Sequence, residues 1–474
     1  MHRRDLIVGG VAIAGTGVAA LAQVPRAQKA QLQPGVARIR PELIRRLCRK
    51  RPNINDLTPA QLTALKAGVT AMKARPATDP TSWAYQAGIH GANGTQRPLY
   101  GTCEHGSLHF LSWHRYYLYY FERILRAASG SSDLMLPYWD WTANRALPAP
   151  FRDNTAGNPL FESNRNNAVN GGSLLPASAV ATVGVLANTS FNPFSSSLEG
   201  SPHGTVHTSV GGGMSGFNTA GLDPVFWLHH CNVDRLWEVW LAQGGGRANP
   251  ATAAWRDRQF SFFDVGGVQR NVRAGGALAT CSAFGYNYTG NRLMPIVFSQ
   301  ILATPLADVL AQQIRTPRGA VDTAPSLTLG VRAASATLAL PTPARGAVPA
   351  RTYLAFDDIV AANPDGYYEI YLNPRGSEDK LDFTDASYAG NLSLFGLTEA
   401  DQRSMHAGHA GMADKPARRV FDITRKVAEL AKARGFDPAK LRVVLVLQVP
   451  GGAPAAGAVD TPRVRIGKLR IISQ

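Results

Sequence analysis

The sequence predicts an α-helical bundle followed by a smaller, β-rich, sandwich-like domain. Three observations carry that prediction. Apolar residues recur at helical spacing in several long stretches before residue 300, a Pro-rich segment follows, and alternating β-type runs occupy the remainder. The 474 residues exceed one ordinary domain of roughly 100–200. A hydrophobic share of 45% against 17% charged residues leaves ample material for packed cores. The 46 Gly and 31 Pro follow no fixed period, which excludes collagen-like and solenoid architectures.

The elements are read in chain order. Residues 1–22 have the form of an export signal: Arg3–Arg4 precede a small-residue apolar stretch that ends at Ala20-Leu21-Ala22, a small-x-small cleavage pattern. The paired arginines point to the twin-arginine route for folded proteins. No other segment is long and apolar enough to span a bilayer, so no membrane association is expected after cleavage. Residues 41–75 alternate apolar and basic positions at helical spacing, with Thr58 as N-cap and Pro59 at the first helical position. Residues 107–128 carry the strongest helical pattern and end near Gly130. Residues 144–200, rich in Asn, Ser and Pro, read as ordered loop, and Phe226–Gln243 as a helix stopped by Gly244-Gly245-Gly246. The expected division is a helical domain over 23–300, a Pro-rich linker over 301–350 and a β-rich domain over 351–474. In that last part β-type runs lie at Tyr367–Leu372, Val443–Val449 and Val464–Ile472, interrupted by a helical pattern at Arg419–Arg434.

Most of the formal charge of +16 comes from the first 300 residues, where it is dispersed apart from a short cluster at Arg45–Arg51. No nucleic-acid motif accompanies it, so no nucleic-acid partner is expected. The glycines at 211–213 lack the Gly-Lys-Ser/Thr ending of a phosphate loop. Cys48, Cys103, Cys231 and Cys281 are too few for a disulfide framework, and at most one bridge is expected.

Eight of the eleven histidines fall in two clusters. His203 and His207 stand at i,i+4, which puts both imidazoles on one face of a helical turn. His230 follows on a helix, with Phe226 and Asp234 four residues to either side, positions that suit a ligand flanked by an aromatic and an orienting carboxylate. His105 and His114 bracket the turn into the 107–128 helix, with His90 upstream. Two groups of three imidazoles with no ligating carboxylate fit zinc or copper better than magnesium or calcium. His406 and His409 lack a third partner and read as surface residues.

The run His105-Gly-Ser-Leu-His-Phe-Leu-Ser-Trp-His114-Arg-Tyr-Tyr-Leu resembles the first copper signature of the tyrosinase, catechol oxidase and molluscan hemocyanin superfamily. Asp223-Pro-Val-Phe-Trp-Leu-His-His230-Cys-Asn-Val-Asp-Arg235 resembles the second. With Trp83…His90-Gly91, Pro137-Tyr-Trp-Asp-Trp141 and Tyr286-x-Tyr288, the resemblance spans about residues 80–300. It implies two copper ions, one on His90, His105 and His114, the other on His203, His207 and His230, with His109 and His229 structural. It further implies a thioether from Cys103 to the ring of His105, a gating aromatic at Phe226, and a water-holding acid at Glu199. The implied activity is oxidation of a small phenolic substrate by O2, from catechol to o-quinone, with ortho-hydroxylation of monophenols possible. Gly204 departs from the Asn found after the first ligand of the second site in many hydroxylating relatives, and weakens that second activity. Oxidation of o-aminophenols is an alternative, and oxygen carriage of the hemocyanin type a remote one. More weakly, the β-rich end resembles the shielding domain of plant-type and fungal enzymes. The sequence sets no oligomeric state.

Overall fold

A computed structural model describes residues 48–91, 94–290, 320–341, 351–402, 417–452 and 460–473. The expected signal at 1–22, residues 301–319 and 342–350 of the expected linker, and His406 and His409 lie outside the described residues, whereas 320–341 of that linker carries strands of the β-rich part.

The helical part begins with α1 (Pro59–Lys73), whose start is fixed reciprocally: the Thr58 hydroxyl accepts from Gln61 N and the Gln61 side chain accepts from Thr58 N. The helical pattern noted from residue 41 does not continue through 48–56. Arg49–Arg51 form a short strand, β1, parallel to Tyr286–Tyr288. Burial explains the change, because Arg51 is fully enclosed, ion-paired to Glu122 at 2.8 Å and stacked 3.7 Å over the Tyr286 ring. Beside it Cys48 is bonded to Cys281, so the one disulfide links the two ends of this part of the chain.

Next come α2 (Trp83–His90), α3 (Phe110–Ser129), α4 (Phe191–Leu198), α5 (Gly204–Val210) and α6 (Pro224–Ala242). Helix α3 stops at Gly130, whose φ of +68° is the left-handed conformation that glycine tolerates best. Helix α6 starts where the Asp223 carboxylate accepts from Val225 N and Pro224 fills the first position. The two long helices are stitched together by a stacked Phe121–Trp227 pair, centroids 3.3 Å apart, and by the Arg115–Asp234 ion pair. The 144–200 segment is ordered loop with short helical turns, and the sequence pattern did not reveal α4 within it. Buried Arg165 anchors that loop by a two-pronged contact to Asp223 and a bond to Phe151 O. A hairpin of β2 (Gln259–Phe263) and β3 (Gln269–Arg273), then β4 (Tyr286–Tyr288), complete this part.

The β-rich part contains β5 (Ala320–Ala324), β6 (Leu327–Leu329), β7 (Ala334–Leu338), β8 (Thr352–Ala361), β9 (Tyr367–Leu372), β10 (Tyr388–Ser393), β11 (Arg419–Asp422), β12 (Leu441–Gln448) and β13 (Val464–Ser473). One sheet runs β10-β9-β12-β7 and the other β11-β8-β13-β5, with β6 also on β13. Their inner faces share one core, in which Phe356 and Ile471 of one sheet meet Ile370 and Val443 of the other. The expected helix at Arg419–Arg434 divides instead into strand β11 and the helix Thr424–Ala431. Pairing of Arg419–Asp422 with Tyr353–Phe356 outweighs the local helical pattern there. Among the described residues no helix is long and apolar enough to cross a membrane.

Candidate metal centre

The six histidines arrive from six places. His90 ends α2, His105 lies in the loop before α3, and His114 stands in the first turns of α3. His203 closes the wide turn Glu199–His203, His207 is on α5 and His230 on α6. The ligand-capable atoms of His90, Cys103, His105 and His114 lie within 4.8 Å of one another, as do those of His203, His207, His229 and His230. The structure thus gathers all six predicted ligands into two adjoining clusters.

Five of the rings are fixed through Nδ1. Those of His90, His114, His203 and His207 donate to the carbonyls of Phe217, Phe110, Glu199 and Met214 at 2.8–3.0 Å. His105 Nδ1 donates to Glu199 Oε1 at 3.1 Å. A carbonyl only accepts, so each Nδ1 facing one bears the proton and the lone pair is left on Nε2. The lone pairs of His90 and His207 each face another imidazole: His90 Nε2 is 3.1 Å from His105 Nε2, and His207 Nε2 is 3.3 Å from His230 Nε2. His203 Nε2 and His230 Nδ1 are buried without a hydrogen-bond partner. Ring nitrogens gathered this closely in a dry interior, with lone pairs aimed among them, suit a cation between them. Burial also holds the rings neutral, lowering His90 and His203 to about 3 and His105, His114, His207 and His230 well below the ordinary imidazole value. A set of neutral imidazoles, oriented from behind, fits copper or zinc.

Glu199 is largely buried as well. Its Oε1 accepts from both His105 Nδ1 and Gly106 N, the latter at 2.6 Å, so it positions the His105 ring. Burial pushes its carboxyl up to about 7, against the opposing pull of the Gly106 N–H and of Arg419. Cys103 is buried and unbridged, with Sγ 3.4 Å from His114 Nε2. Burial, reinforced by Glu104 and Glu199, raises its thiol well above the usual range. His229 joins the second cluster, but its Nδ1 accepts from Trp141 Nε1 at 3.2 Å. His109 stacks on Trp255, with its Nε2 3.1 Å from that residue's carbonyl oxygen.

Two expectations change in the structure. Asp234 does not orient a histidine: its oxygens take Arg115 Nε at 2.5 Å and the hydroxyls of Tyr286 and Tyr288 at 2.6 and 2.5 Å, with Arg51 at 3.5 Å. Two buried arginines compete for the carboxylate more strongly than an imidazole would, which also accounts for the Tyr286-x-Tyr288 motif. Phe226 is fully buried among His90, His207, His230, Tyr117 and Trp227, so it forms the inner wall of the site. Two rings that the sequence reading missed cover the imidazoles: Phe217, 4.7 Å from His90, and Phe395. Phe395 follows β10 and stacks on His207 at 4.1 Å, with His203 at 5.5 Å and His105 at 5.6 Å. No local pattern marks it, because it meets the histidines only through the tertiary fold.

Comparison with known proteins agrees with this geometry. Residues 80–182 and 158–243 match the common central domain of tyrosinase, and residues 314–474 match a domain of unknown function, DUF7868. The chain is 30% identical over 462 residues to the tyrosinase HcTyr1 of Hahella sp. (strain CCB-MM4), covering 84% of this chain and 95% of that one. It is also 30% identical over 319 residues to the chloroplastic polyphenol oxidase II of Ipomoea batatas, spanning 56% of this chain and 54% of the relative. In fold it resembles latent apple tyrosinase, with a TM-score of 0.60 at 22% identity over 90% of this chain and 96% of that structure. With two imidazole clusters inside the matched region and a bacterial tyrosinase aligned along most of its length, the chain belongs to the tyrosinase family of type 3 copper proteins.

Proposed function

We propose that His90, His105 and His114 hold one copper ion, that His203, His207 and His230 hold a second, and that the pair oxidises catechols to o-quinones with O2 as co-substrate. The inward-facing Nε2 atoms carry this reading, since a cation in each cluster would satisfy the three imidazoles together. Paired copper supplies the one thing the side chains lack, a reversible store for electrons passing from a phenol to oxygen. Two catechols lose four electrons and four protons, and O2 leaves as two waters.

The polypeptide does the rest. Carbonyls behind the rings keep each Nε2 aimed inward, and Phe226, Tyr117 and Trp227 exclude water from one side. Glu199, anchored through Oε1, receives the phenolic proton at its other oxygen, a role suited to a carboxyl raised toward neutrality. Gly204 offers no side chain to polarise a water beside His203, which favours catechols over monophenols. A thioether between Cys103 Sγ and the His105 ring would fix that ligand further, and the tryptic peptide carrying both residues would then be lighter by two hydrogens. Phe395 supports reading the β-rich part as a shield, because its ring lies where a phenol would stack on His207. The segment at 1–22 fits export, to which the Cys48–Cys281 bridge is suited.

The deciding experiment is oxygen uptake by the copper-loaded protein with a simple monophenol and its matching catechol, before and after removal of the β-rich part. Uptake with catechol, stronger after removal, is the expected result. No uptake with either substrate after removal would overturn the reading. Equal uptake with the monophenol would show that Gly204 is no barrier.

A further inference from the structure

The residue after His203 has no side chain, and its backbone does not require that. Gly204 sits at φ −66°, ψ −33°, at the start of α5. Every residue adopts this helical conformation, and glycine is among the poorest choices for it. The reason lies across the interface. A Cβ on Gly204 would stand 2.5 Å from Ser393 Oγ and 3.1 Å from Ser393 Cβ, so Ser393 occupies the space a side chain would need.

Ser393 is the last residue of β10, and its Oγ accepts from Phe395 N at 3.3 Å. The hydroxyl that fills the space at Gly204 therefore also shapes the turn that presents Phe395. The approach is tight on both flanks. Asn391 Nδ2 donates to Ser178 O and Ser201 Oγ, and Gly366 N donates to Thr208 O, one helical turn beyond Gly204.

We propose that Gly204 is a seating notch: the missing side chain admits Ser393, and the fit of the two sets how deeply Phe395 enters the imidazole cluster. A side chain at 204 must push β10 outward or turn the Ser393 hydroxyl away from Phe395 N, and either loosens the turn that presents Phe395. The inference rests on reading the β-rich part as a shield.

Amide hydrogen exchange by mass spectrometry on the full chain tests it with no dependence on copper or activity. In Gly204→Ala, which favours helix α5, amides of residues 391–395 should exchange about tenfold faster than in the parent. Adding Gly204→Ala to Ser393→Ala, where the colliding hydroxyl and its bond to Phe395 N are already gone, should give a double variant that exchanges little faster than Ser393→Ala alone. Unchanged exchange in Gly204→Ala would overturn the notch, as would an acceleration of the same size when it is added to Ser393→Ala. Catechol oxidation by the same copper-loaded chains separates the two readings. Faster exchange with faster oxidation supports both, whereas faster exchange with no gain in oxidation keeps the notch and overturns the shield.

Discussion

The imidazole of His114 lies flat on that of His230, centroids 4.3 Å apart and planes 6° from parallel. One ring rises from α3 and the other from α6, so the two clusters touch through their helical members. The neighbouring residues lock this registry: Arg115, next to His114, is ion-paired at 2.5 Å to Asp234, one turn beyond His230. The separation of the two histidine clusters is therefore set by how two long helices pack.

His230→Ala should lose one copper per chain and keep the other, whereas His229→Ala should keep both. The difference follows from Trp141, whose indole N–H already occupies His229 Nδ1, while His230 Nε2 faces His207. Copper content per chain after gel filtration checks it, and the opposite pattern would reassign the ligand.

Phe395→Ala should raise kcat/KM for catechol in the intact chain and leave it nearly unchanged once the β-rich part is removed. Burying a phenylalanine side chain is worth ~1.5–3 kcal/mol, so the gain should be roughly tenfold to a hundredfold. Steady-state kinetics on both forms decide it.

Asp234 contributes stability that depends on pH. Burial works to raise its pKa, but Arg115, Arg51 and the hydroxyls of Tyr286 and Tyr288 together hold it below the usual carboxylate value. A group depressed on folding contributes fully above its unfolded pKa of about 3.9, and that contribution is lost as pH falls through the lower, folded value. Asp234→Asn should therefore destabilise the protein at neutral pH by about 3–5 kcal/mol, as expected for breaking a buried ion pair. The gap between parent and variant should narrow below about pH 4. Urea unfolding across that range measures both.

Stripping copper should lower Tm, and returning it should restore the original value. Without the metal, His90 Nε2 and His105 Nε2 are left facing each other at 3.1 Å, and His207 and His230 at 3.3 Å. At a hundredfold excess of free metal over Kd, one site alone would add about 2.7 kcal/mol. Calorimetry of the stripped and reloaded chain checks the direction.

The parts legible in the sequence were those written locally. The Thr58–Pro59 start of α1, the Gly130 stop of α3, and the strands at Tyr367–Leu372 and Val464–Ser473 depend on near neighbours and are found where the pattern places them. The six histidines could be named because motif spacing carries them. What escaped depends on contacts distant in sequence. Phe395 reaches His207 across 188 positions, Arg51 is pulled into a strand by Glu122 and Asp234, and Arg419–Asp422 becomes a strand because β8 offers an edge. Gly204 was legible as a departure, but its fit to Ser393 was not, since nothing nearby in sequence marks Ser393 as its neighbour.

Strand β13 lies inside its sheet, paired to β8 on one side and to β5 and β6 on the other. Its Ile466, Leu469 and Ile471 are wholly buried in the core that also takes Leu392 of β10. The two sheets are therefore tied through one core, and complete release of Phe395 requires that core to come apart. On the proposed reading of this part as a shield, a protease need not reach the histidines: a cut that costs the sandwich β13 would dissolve the shared core and release the ring from a distance.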